Sequence, residues 1–67
     1  MIPDLDIYRA ASVIIERYGK DALIHSTKRA SAMLDKGDLD AYAAWKRILR
    51  AIEELQKAGP KSGEAVH

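Results

Sequence analysis

The sequence predicts an all-α fold, a compact antiparallel three-helix bundle with helices at about 4–18, 21–36 and 38–58. Three observations carry this. From Asp38 to Gly59, the residues Ala41, Tyr42, Ala44, Trp45, Ile48, Leu49, Ala51, Ile52 and Leu55 cover about half of a helical cylinder. Lys46, Arg47, Arg50, Glu53, Glu54 and Lys57 cover the other half. A stripe that wide suits a helix packed against two others at once. Gly19 and Gly37 each follow an amphipathic stretch, at the place where a helix is released into left-handed backbone. The connections left over are very short, so successive helices must turn back on one another.

The first helix opens at Pro3 and Asp4. Proline has no amide hydrogen to lose in a first turn, and Asp4 or Asp6 can face the positive end of the helix dipole. Its inner face is Ile7, Tyr8, Ala10, Ala11, Ile14, Ile15 and Tyr18, with Asp6, Arg9, Glu16 and Arg17 outside. The second helix starts beside Asp21 and buries Ala22, Leu23, Ser26, Thr27, Ala30, Met33 and Leu34. That stripe is small and partly hydroxylic, so it allows close helix contact but contributes less burial. Lys36-Gly37 ends it, Asp38 is the expected N-cap of the third helix, and Gly59-Pro60 stops that one. Residues 1–57 then form one domain and 58–67 a polar C-terminal tail. The core expected from these faces is Trp45, Leu49 and Ile52, with Ile15, Tyr18 and Leu34 packed around them. The tyrosines Tyr8, Tyr18 and Tyr42 fit the rim of that core, hydroxyls toward water.

Length and composition limit what this chain can be. A chain of 67 residues buries only about 60% of the surface its unfolded form exposes, and such domains usually need help. With no cysteine there is no disulfide, and with only His25 and His67 as imidazoles a closed metal site is not drawn. Association is the aid that remains, and a homo-oligomer, a dimer, is the expectation. The 11 basic and 10 acidic residues are spread along the chain, which argues against a nucleic-acid or membrane-surface protein. No apolar run is long enough to span a membrane, and the first residues do not read as a signal peptide, so a cytoplasmic location is expected.

No catalytic constellation emerges. Ser26, Thr27 and Ser31 share a helix with His25, but residues one or two apart do not face each other. Arg29, four residues on, would lower the basicity of that imidazole. Glu53 and Glu54 lie on the solvated face of the third helix, at pairing distance from Lys46, Arg47, Arg50 and Lys57. No enzymatic activity, cofactor or metal follows. His25, Lys28, Arg29 and Lys36 gather on the outer face of the second helix, either as an anion patch or as a solvated face with cations near its C-terminal end. A helix-turn-helix reading fails because Asp38 and Asp40 occupy the first turn of the would-be recognition helix. Two apolar residues break the pattern: Val13 on the polar side of helix one, and Ile24 at the edge of the outer face of helix two. Both mark a possible subunit interface, with Ala44 and Ala51 as the fallback.

The run Ile14-Ile15-Glu16-Arg17-Tyr18-Gly19, then Met33-Leu34, Gly37-Asp38, Ala44-Trp45, Ile48, Ala51 and Leu55, resembles a family of short alphaproteobacterial proteins known only as a domain of unknown function. That family's pattern runs helix-Gly, helix, Gly-Asp, then a tryptophan in the last helix, and the resemblance covers about residues 5–56. It implies a bacterial, cytosolic, compact helical protein, and it brings no activity or catalytic residues. The sequence therefore points to a non-enzymatic module that binds protein, itself first and then an unknown partner. The alternative is a nucleic-acid-associated regulator using the His25–Lys36 patch.

Overall fold

A computed structural model of the chain describes residues 2–57. Among them the chain is all-helical, without strand: α1 is Asp4–Tyr18, α2 is Ala22–Lys36 and α3 is Leu39–Lys57. A single 3₁₀ turn, Gly19–Asp21, joins α1 to α2. The expected tail at 58–67 lies outside the described residues.

The helix ends follow from local chemistry. Pro3 sits in extended backbone ahead of α1, and its carbonyl accepts from the N–H groups of Asp6 and Ile7 at 3.1 and 3.2 Å. No side chain caps this end, so Asp4 and Asp6 offset the exposed amides by charge. At the other end Gly19 takes φ 53°, ψ −124°, a conformation in which a Cβ is strained. At the α2–α3 turn, Gly37 is left-handed (φ 79°, ψ 14°) and donates to the Leu34 carbonyl at 3.0 Å, while Asp38 N–H donates to the Met33 carbonyl at 2.9 Å. This paired arrangement satisfies two of the last carbonyls of α2. The Asp38 carboxylate also accepts from Ala41 N–H at 3.1 Å, so one residue closes α2 and opens α3.

α3 is the spine. Its most extensive packing is with α2, its next with α1, and α1 meets α2 only slightly. Among the described residues, the side-chain ties between α1, or the turn after it, and α3 fall from Arg47 onward. Arg47 Nη2 donates to Asp4 Oδ1 at 2.6 Å, the Tyr8 hydroxyl donates to Glu54, and Gln56 Nε2 donates to the Gly19 carbonyl at 3.0 Å. Among the described residues the apolar core is Ile7, Ala11, Ala22, Ala30, Ile48, Ala51 and Ile52, joined by the buried hydroxyl residue Ser26.

The buried set departs from the one expected from the stripes. Ile52 is fully buried, but Trp45, Leu49 and Ile15 are half-buried, and Tyr18 and Leu34 are exposed at 41% and 48%. Small residues (Ala11, Ala22, Ser26, Ala30 and Ala51) make up most of the buried set, and residues this small let helices approach closely. Large neighbours are thereby pushed to the flanks. Leu34 lies beside the α2–α3 turn, ahead of the stretch from Arg47 onward that carries the ties to α1. The ion pairs expected within α3 are also absent among the described residues, since Arg47 is engaged by Asp4 and Glu54 accepts from Tyr8.

Candidate functional site

Three surface features could interact with something else, and each is built from helix spacing. The first is the seam between α1 and α3, where Asp4 and Tyr8 on one helix meet Arg47 and Glu54 on the other. Donation to Glu54 holds the Tyr8 hydroxyl above its ordinary value of 10.0, and desolvation and the negative charges of Glu54 and Asp4 push the same way. These groups are partnered with each other, so the seam fastens α1 to α3, and the cleft they line with Arg50 and Lys57 has its main polar groups engaged across it.

The second is an aromatic stack. Tyr18 and His25 rings lie 4.0 Å apart and nearly parallel, and His25 meets Trp45 edge-on at 6.2 Å. The Arg29 guanidinium sits 5.7 Å from the centre of the Trp45 ring. His25 is therefore half-buried between rings, and the proposed basic face of α2 is divided. His25 and Arg29 turn toward α3, Lys28 lies on another side beside Ile24, and Lys36 stands at the C-terminal end of α2. The structure does not bring the four into one surface.

The third is a pair of shallow clefts, and they hold the two stray apolar residues. Val13 borders a cleft with Ile15, Glu16, Lys20 and Leu55. Ile24 borders a different one between α2 and α3, with Leu23, Lys28, Leu49 and Arg50. Val13 is 49% exposed and Ile24 58%. The two residues thus border separate clefts, one beside α1 and the other between α2 and α3. Ala51, one of the fallback interface positions, is covered inside the core, and Ala44 is half-buried.

The basic rim of the Ile24 cleft, where Lys46 and Arg50 join Lys28, is not among the surfaces expected from the sequence, in which those cations pair within α3. The available signal was Lys46-Leu49-Arg50 at three- and four-residue spacing, an apolar residue framed by cations on one face.

Comparison of the chain with protein-family models, with curated proteins and with solved structures gave no match. The resemblance to the alphaproteobacterial family thus rests on the quoted residues alone. No helix among the described residues is long and apolar enough to cross a membrane.

Proposed function

We propose that this chain is a non-enzymatic, cytoplasmic helical module that acts by binding protein, and that its first partner is a second copy of itself. The observation that carries this is a surplus of apolar surface. Among the described residues the large apolar side chains buried in the core are Ile7, Ile48 and Ile52, while Leu5, Val13, Ile24, Leu34, Leu39 and Leu55 stand exposed. On this reading α1 to α3 close into an antiparallel three-helix bundle with that surplus on the outside. The His25 ring is occupied on its face by Tyr18, and the Ser26 hydroxyl is buried in the helical core. Both facts favour binding over catalysis.

The Val13 cleft is suited to self-pairing. Its apolar part, Val13, Ile15 and Leu55, is bordered by Glu16 and Lys20. In a two-fold arrangement a patch meets its own copy, so Glu16 of each chain can face Lys20 of the other. The test is a charge swap read by size-exclusion chromatography with light scattering. Glu16→Lys places cations against cations twice and should give monomer, and adding Lys20→Glu should restore the dimer. If Glu16→Lys leaves a dimer unchanged, this cleft is not the interface.

A further inference from the structure

We infer that the cleft between α2 and α3 is a docking groove for an amphipathic helix from another protein, one whose apolar stripe is flanked by aspartates or glutamates. Its floor is apolar, with Leu23 and Leu49 half-buried and Ile24 exposed. Three cations, Lys28, Lys46 and Arg50, rim it against one acid, Glu53. None of these cations makes an ion pair among the described residues. Seven residues from Thr27 and Lys46 respectively, Leu34 and Leu39 take the same faces of their helices, 48% and 63% exposed. They add exposed apolar surface between the groove and the turn of the hairpin.

Charge selects the occupant. A second copy of this chain is disfavoured here, because two-fold pairing would set Lys28, Lys46 and Arg50 against their own copies. This distinguishes the groove from the Val13 cleft, whose two charges are opposite, and the inference does not depend on self-association. A nucleic acid would satisfy the cations but leave Ile24 and Leu49 without apolar contact. An acidic helix satisfies both, with leucines at three- and four-residue spacing on the floor and carboxylates at the rim. α1 already lies on α3 in this way elsewhere, and the groove offers α3 a further helix.

The test uses a fluorescent synthetic helix of about 18 residues, long enough to span the stretch from Leu39 to Glu53. It carries leucines on one stripe and glutamates beside them, and a series shifts the leucine spacing. A second set replaces every glutamate by glutamine, and a labelled DNA duplex is the third probe. Anisotropy should show at least one glutamate peptide binding about tenfold or more tightly than its glutamine twin. The double variant Lys46→Glu/Arg50→Glu and the single Ile24→Ser should each weaken that binding by about tenfold or more. All these positions are exposed, and circular dichroism confirms that the variants fold. Methyl shifts on binding should concentrate at Ile24, Leu23 and Leu49. Val13→Lys should bind the peptide as the parent does, whatever its effect on self-association. The inference is overturned if no peptide in the series binds below about 1 mM, if the glutamine twins bind equally, or if the shifts fall elsewhere. It is also overturned if DNA binds more tightly, with steep salt dependence and indifference to Ile24→Ser, which would mark a nucleic-acid surface.

Discussion

Ser26 shows most sharply how single side chains set this fold. It is fully buried, and its hydroxyl has no hydrogen-bond partner among the described residues. Its small size lets the helices close together, while its polarity is a liability. Ser26→Ala keeps the size and removes the orphan group, so it should raise stability by about 1 kcal/mol in a urea titration. Ser26→Leu should lower it by about 1–3 kcal/mol through overpacking. Ile52→Ala should cost about 2–5 kcal/mol, and Leu49→Ala clearly less because Leu49 is half-buried. Equal losses at the two positions would contradict the burial order. Ile52 and Ser26 were both legible as inward-facing from helical spacing. Tyr18 and Leu34 were misread as core because periodicity gives the direction of a side chain but not whether a neighbouring helix reaches it. The rim cations Lys46 and Arg50 were misread for a related reason: the sequence shows every possible partner, and only the structure shows that Asp4 and Tyr8 engage Arg47 and Glu54.

At the scale of elements, the helix bounds were almost wholly legible, since Gly19, Gly37 and Asp38 act through backbone chemistry that needs no neighbour. Their strain differs. Space around a Cβ at either glycine is open, so a substitution costs only conformation. Gly37 is ordinary left-handed backbone, and Gly37→Ala should cost about 1 kcal/mol. Gly19, at φ 53° and ψ −124°, is less accessible, and Gly19→Ala should cost about 2–3 kcal/mol by thermal unfolding. The reverse order would contradict the turn geometry. The seat of α1 was not legible, because it depends on Asp4–Arg47 and Tyr8–Glu54, pairs more than forty residues apart. The Tyr8 pair makes a pH prediction. Its hydroxyl is raised in the folded chain, so the protonated phenol favours folding. That stabilisation is complete below the unfolded value of 10.0 and is lost as pH rises through the folded value. Tyr8→Phe should therefore flatten the alkaline fall in melting temperature, while an unchanged fall would mean the pair contributes nothing.

For the whole molecule, the balance between core and surface is decisive. Among the described residues three buried isoleucines and four buried alanines make a small core, and large apolar residues remain on several faces. The sequence indicated this shortage through length and the lack of cysteine, and it picked out Val13 and Ile24. It could not show that the two residues lie in separate clefts of different charge, since that depends on how α1 and α2 sit on α3. Self-association through the Val13 cleft is the central claim, and sedimentation equilibrium of the unaltered chain across the micromolar range tests it most directly. The account predicts a weight-average mass that climbs with concentration from the chain mass of 7.4 kDa toward twice that value. A mass that stays at 7.4 kDa across the whole range would contradict it.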